Sequence, residues 1–138
     1  MSQKNVEIVR SVYERYRQGD FRAAAELLDR HVVLVLDPMF AASLFASPVD
    51  EAFYGFDAVS DYTRGFLEDA HVTMEAKDFA AAGDSVLVSV HQRMTGKQSG
   101  VPVESRYVSV WSFRGDKVIR IESFGERADA LEAAGLRE

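Results

Sequence analysis

Apolar residues near the amino terminus recur at helical spacing. Val6, Val9, Val12, Tyr13 and Tyr16 fall on one side of a segment with charges between them, which predicts an amphipathic helix. Gly19 stops that helix, and Asp20 is placed to cap the next. The second helix carries Phe21, Ala24, Ala25 and Leu28 on one side. The run from His31 to Asp37, HVVLVLD, is short and β-branched, so it predicts a strand that Pro38 ends. Both faces of that strand are apolar, so it is expected to be covered on both sides. Residues 38–54 include Met39, Phe40, Leu44, Phe45, Val49 and Phe53, many large side chains for a loop. A short helix or a flap fits them.

Gly55-Phe56-Asp57 opens a third helix with Val59, Tyr62, Phe66 and Leu67 facing inward. After Ala70 the pattern switches to period two. Strands are expected at about 71–82, 85–96, 102–114 and 117–125, with turns at Gly83-Asp84, Gly96 to Gly100 and Gly115-Asp116. A short helix from about Arg127 to Ala134 ends at Gly135. Helices gathered before a run of hairpins predict an α+β class. The expected form is a cone-shaped, curved antiparallel sheet wrapped by three amino-terminal helices.

Composition narrows this little. A chain of 138 residues without a repeat or a Pro/Gly-rich linker is expected to be one domain spanning 1–138. Hydrophobic residues make up 47% and charged residues 28%, the balance of a globular chain. With no cysteine, disulfides and thiolate zinc sites are excluded. The first twenty residues contain no signal-peptide apolar stretch, and no apolar run reaches the roughly 20 residues that span a bilayer. A cytoplasmic location and no membrane partner are therefore expected. A net charge of −6 argues against nucleic acid, which needs a basic patch. Arg10, Arg15 and Arg17 are mixed with Glu7 and Glu14, as on a solvated helix face.

Several residues bear on chemistry. Asp37 ends an apolar strand on the side of Val33 and Val35. If that side faces a cavity, desolvation raises its pKa toward the range of a general base. The alternative is an ordinary Asp-Pro turn. His91 and Arg93 alternate with Val88, Val90, Gln92 and Met94. If the apolar side lines the interior, His91 meets Glu104, Arg106, Arg120 or Glu122 on the outer face. A bulge would instead turn it inward as an acid or base. His31, His71 and His91 are scattered, without metal-ligand spacing. Tyr107, Trp111 and Phe113 share a strand face with Ser109. With Tyr16, Tyr62, Val86, Val88, Val90, Ile119 and Ile121 they would form an inner wall, read either as core packing or as an apolar pocket with a few polar groups.

The order of elements and several local signatures resemble the nuclear-transport-factor-2-like superfamily, in its SnoaL-like and ketosteroid-isomerase-like branch. The matching residues are Gln18-Gly19-Asp20-Phe21, Ala25-Glu26-Leu27-Leu28, Asp37-Pro38 and Tyr54-Gly55. The late hairpin from Trp111 to Val118, the run Ile121-Glu122-Ser123-Phe124 and the tail from Ala130 to Leu136 complete the set. Members of this superfamily include isomerases, dehydratases, cyclases, epoxide hydrolases and non-catalytic binding subunits, so fold does not give activity.

The resemblance implies roles for particular residues. Asp37-Pro38 looks like the position of the proton-abstracting aspartate of ketosteroid isomerases. Ser109 stands where their second oxyanion donor, an aspartate, would be, and Val12 stands at the tyrosine position. Tyr16 lies one turn further on nearly the same face, whereas Tyr13 is rotated by about 100°. With two of three groups displaced or missing, ketosteroid isomerase activity itself is disfavoured. Glu104-Ser105-Arg106 reverses the order that epoxide hydrolases of this fold use, which disfavours that chemistry too.

Two functions follow. One is a cofactor-free isomerase, cyclase or dehydratase acting on an apolar, carbonyl-bearing substrate, with Asp37 as base and Tyr16 and Ser109 as donors. Its pocket would comprise Tyr13, Phe40, Tyr62, Val88, Val90, Tyr107, Trp111, Phe113, Ile119 and Ile121, with no metal or cofactor. The other is a binding or assembly module without turnover. The outer sheet face, with Leu87, Val108, Val110 and Phe124 beside charged residues, predicts a homodimer through that face.

Overall fold

The computed structural model describes residues 2–36, 52–96 and 100–135. Asp37, Phe40 and residues 38–51 of the 38–54 segment expected to form a short helix or flap lie outside the described residues, as do the side chains of Phe21, Phe66 and Leu67; residues 52–54 of that segment form a strand.

Helix α1 spans Ser2–Arg17 and α2 spans Phe21–Ala25. Gly19 joins them with φ 77°, a conformation L side chains rarely adopt. Its N–H bonds to the Tyr16 carbonyl at 3.0 Å, and the Asp20 N–H bonds to the Arg15 carbonyl at 2.8 Å, closing α1 in a Schellman motif. Asp20 then caps α2, its Oδ1 accepting from the Ala23 N–H at 3.1 Å.

Strand β1 runs Leu28–Leu36, beginning at Leu28 rather than at His31. Strand β2 (Ala52–Tyr54) and helix α3 (Phe56–Asp69) follow. The meander is β3 (Ala70–Ala82), β4 (Ser85–Gly96), β5 (Pro102–Arg114) and β6 (Lys117–Phe124), and α4 (Arg127–Ala133) closes the described chain. Of the three amino-terminal helices expected to wrap the sheet, α1 and α2 precede its first strand, and α3 follows β2.

The six strands lie in the order β2-β1-β6-β5-β4-β3. The sheet is mixed rather than purely antiparallel, because β1 pairs parallel with β6. Hairpin turns fix antiparallel pairing within the meander, but no turn joins β1 to β6, so nothing local dictates their direction. One sheet face packs on α1 and α3 through Val9, Val12, Val32, Val59, Val86, Val88 and Val118, all fully buried or nearly so. The opposite face carries Leu87, Val108 and Val110, which are covered by Ala130 and Leu131 of α4. The apolar patch that suggested a dimer surface is thus largely covered by the chain's own last helix.

A bulge explains one further difference. Ser112 pairs with Arg120 but Phe113 pairs with Val118, leaving Ile119 as the extra residue on β6. Val118 therefore enters the core in place of the expected Ile119, which stays partly exposed.

Candidate functional site

Between α1, α3 and the helix-covered face of the sheet lies an inner chamber of about 100 Å³. Helix α1 supplies Tyr13 and Tyr16, one turn apart, and α3 supplies Tyr62 and Thr63. Strand β1 adds Leu34 and Leu36, and the meander adds Met74, Gln92, Tyr107, Ser109, Trp111, Ile121 and Ser123. The period-two pleat explains why Tyr107, Ser109 and Trp111 arrive together, since alternate residues of a strand share a face. Ser109 sits opposite Ser123 in the β5–β6 register. The Tyr13 ring meets Trp111 edge-on at 5.5 Å and Tyr16 at 6.3 Å, the packing that aromatic quadrupoles favour.

A larger cleft of about 590 Å³ lies outside this chamber, between the end of α1, α2 and α3. Asp20, Arg22, Glu26 and Arg64 line it, and it shares Tyr16 and Thr63 with the chamber.

The described lining of the chamber is neutral. Among the described residues its lining holds no carboxylate, imidazole or cationic side chain. Among the described residues its titratable groups are four tyrosines, and all four shift the same way. Burial pushes the Tyr13 hydroxyl up to about 12, with the Ser109 and Trp111 side chains pulling it partly back. Burial raises Tyr16, and the neighbouring Tyr13 raises it further, while a hydrogen bond with Thr63 opposes both. Burial takes Tyr62 to about 12. Tyr107 is raised well above the ordinary tyrosine value, first by burial and then by Tyr13, Tyr62 and Tyr16. All four therefore stand as protonated donors at neutral pH.

Among the described residues, two buried donors in the lining lack a partner, Gln92 Nε2 and Trp111 Nε1. The Trp111 indole lies close enough to the Tyr13 hydroxyl to lower its pKa. Gln92 Oε1 accepts from the Tyr107 hydroxyl at 3.1 Å.

The residues singled out from the sequence divide into several groups. Tyr13, Tyr16, Tyr62, Tyr107, Ser109, Trp111 and Ile121 line the chamber. Val88, Val90 and Phe113 belong to the buried core rather than to the described lining. Ile119 is displaced by the bulge, and Asp37 and Phe40 lie outside the described residues. The premise for Asp37 changes: Leu34 and Leu36, not Val33 and Val35, are the chamber side of β1. His91 is on the outer sheet face, its Nε2 2.7 Å from Glu104 Oε1. Gln92, Thr63, Met74 and Ser123 are in the lining although sequence reasoning did not select them. The alternation with Val88 and Val90 already put Gln92 on the inner face, and that was the available signal.

The profile described as the SnoaL-like domain matches residues 9–121. The chain belongs to the SnoaL-like family. No curated protein matches this SnoaL-like chain significantly, but solved structures share its fold. A nuclear-transport-factor-2-like protein of unknown function from Burkholderia pseudomallei aligns with TM-score 0.75 at 18% identity, covering 94% of this chain and 95% of that one. TerC, co-crystallised with polyporic acid, aligns with TM-score 0.73 at 16% identity over 96% and 98%. A protein with a ketosteroid isomerase-like fold from Catenulispora acidiphila, in complex with trimethylamine, gives 0.69 at 16% over 95% and 94%. At these identities the likeness concerns the fold of the SnoaL-like domain. Among its described residues, no helix is long and apolar enough to cross a membrane, and no group of three or more His, Asp or Glu is placed to hold a metal ion.

Proposed function

We propose that this SnoaL-like chain is a single small-molecule-binding domain whose sheet curves as a cone over α1 and α3. Its ligand would be an uncharged, apolar molecule bearing a carbonyl. One observation carries the reading: a chamber with aromatic walls whose described polar groups, hydroxyls, an amide and an indole N–H, carry no charge. Such a site rewards apolar area and orients an acceptor, whereas an ion would be desolvated there without a partner. The small ligands bound to two proteins of this fold, polyporic acid and trimethylamine, are compatible with a binding role. A cavity of about 150 Å³ holds benzene, so a single ring would fill the chamber's roughly 100 Å³ and project from it. A polycyclic ligand would extend past Tyr16 and Thr63 into the outer cleft. The test is a titration with aromatic and polycyclic ketones, followed by the emission of Trp111, the only tryptophan in the chain. Unchanged emission and melting temperature across the whole panel would sink the reading.

Turnover by proton transfer is a second reading, and it needs a base that the described lining lacks. In an isomerase, cyclase or dehydratase version the base would be Asp37, on the ketosteroid-isomerase resemblance alone, since strand alternation after chamber-lining Leu36 does not favour it; Tyr16 and Ser109 would be the donors. Asp37→Asn should then lower kcat by orders of magnitude on a substrate found by that titration. An unchanged kcat leaves a binding module. A cytoplasmic homodimer through the outer sheet face fits either version. Because α4 covers the apolar part of that face, the contact would rest on residues such as His91, Arg93, Glu104 and Arg106. Light scattering that reports a monomer at micromolar concentration removes the dimer.

A further inference from the structure

We propose that Gln92 is the specificity-determining hydrogen-bond donor of the inner chamber, seconded by Trp111, and that it selects a single-ring group bearing a neutral acceptor oxygen, such as an aryl ketone. The proposal rests on the small-molecule reading above and adds the residue and the chemistry that discriminate among ligands.

Gln92 is 2% exposed, yet only one end of its amide is engaged. The Tyr107 hydroxyl donates to Oε1 at 3.1 Å, which fixes the amide plane and leaves the two N–H bonds of Nε2 without a partner. Buried donors in folded proteins are nearly always satisfied by protein, water or ligand. This one belongs to the lining of a cavity, so its acceptor is expected to come from the cavity's contents. Trp111, also 2% exposed, presents a second unpartnered donor from the same lining. Two anchored donors, tyrosines held protonated and no described cation together favour an acceptor oxygen that carries no full charge. A carboxylate would lose its hydration without gaining a counter-ion. An amide already held by Tyr107 also loses little freedom when a ligand binds, so its selectivity is pre-organised.

The single tryptophan makes the test direct, because it gives one indole N–H resonance in a ¹H–¹⁵N spectrum of the whole chain. Acetophenone is titrated against α-methylstyrene, which has the same shape with a methylene in place of the carbonyl oxygen, and against benzoate. Wild-type protein should bind acetophenone with a downfield shift of the indole proton, and benzoate more weakly. Gln92→Met removes the donor at similar volume. It should weaken acetophenone about five- to tenfold, the worth of one buried hydrogen bond, while changing α-methylstyrene by less than about twofold. Tyr107→Phe keeps the amide but frees it to rotate, and should weaken acetophenone selectively by a smaller factor. This second variant gives a reading even where Gln92→Met does not fold. Parallel shifts for both probes, or no shift in either variant, overturn the role of Gln92 and leave the chamber as a site. Failure of wild-type protein to bind any of the three overturns the chamber as a site, and Gln92 with it.

Discussion

The Tyr107 hydroxyl donates a hydrogen bond to Gln92 Oε1 at 3.1 Å across the β4–β5 pair. The two are diagonal neighbours on one face, because Tyr107 is opposite Val90 and Gln92 is opposite Ser105. Both are buried, so the bond ties the polar floor of the chamber to the packing of the meander. Tyr107→Phe strips Gln92 of its described partner while keeping the ring. The fold should lose about 1–2 kcal/mol, the cost of a buried amide left unmatched. Urea unfolding should show a lower midpoint at an unchanged slope. A midpoint equal to wild type would mean that water or a second protein group satisfies Gln92 at no cost.

His91 meets Glu104 on the opposite side of the same sheet. Its hydrogen bond holds the Glu104 carboxyl below the usual glutamate value, and Arg93 and Arg106 add to that effect. A depressed carboxyl pKa contributes stability above the ordinary glutamate value, and that contribution is lost as pH falls through the folded-state pKa. Glu104 is half-exposed, and Arg93 and Arg106 are more so, so solvent screens most of it. His91→Ala and Glu104→Gln should therefore change stability little, and only on the acid side. Neither should move the Trp111 indole resonance or alter acetophenone binding. A loss of binding in His91→Ala would bring the inward, acid–base reading of this histidine back.

Leu131 packs with Leu87, Val108 and Val110 on the outer face. Leu131→Ala should cost about 2 kcal/mol through lost burial and the cavity it leaves. Leu131→Asp should go further and lift α4 from the sheet, exposing three large apolar side chains on adjacent strands. Such a patch self-associates, so light scattering should report species heavier than wild type at the same concentration. An unchanged mass together with unchanged thermal stability would show that α4 is not what keeps this face covered.

The elements and the inner face were legible where local rules alone decide them. Period-two alternation put Tyr107, Ser109 and Trp111 on one side, and Gly19-Asp20 marked where one helix ends and the next begins. What failed depended on register or on distant pairing. One extra residue at Ile119 exchanges it with Val118, and no sequence rule places a bulge to the residue. The strand β1 is apolar on both faces, so its pattern could not say that Leu34 and Leu36 rather than Val33 and Val35 face the chamber. Its parallel pairing with β6 joins residues from opposite ends of the chain. Gln92 was visible on the inner face but passed over, because a polar residue in an apolar row gains meaning only once its partner Tyr107 and its open Nε2 are known.

The tyrosines of the chamber should make the stability of the fold fall at alkaline pH. Burial raises Tyr13 and Tyr62 to about 12, and Tyr16 and Tyr107 shift in the same direction. A tyrosine whose pKa is higher in the folded than in the unfolded chain favours folding fully below the ordinary value of about 10. Above it the unfolded chain releases the proton first, so stability falls as pH rises toward the folded value. Stability should thus be flat with respect to these groups from neutral pH to about 9, then fall with a slope set by up to four protons. Phenolate absorbance near 295 nm, followed together with far-ultraviolet circular dichroism, checks this. The absorbance of these tyrosines should rise late and together with loss of structure. Tyr13→Phe removes one titrating group, so the alkaline limb should become shallower. If all the tyrosines ionise near pH 10 while the dichroism stays native, the chamber is open to water and its hydroxyls are not the fixed, neutral donors on which ligand selection depends.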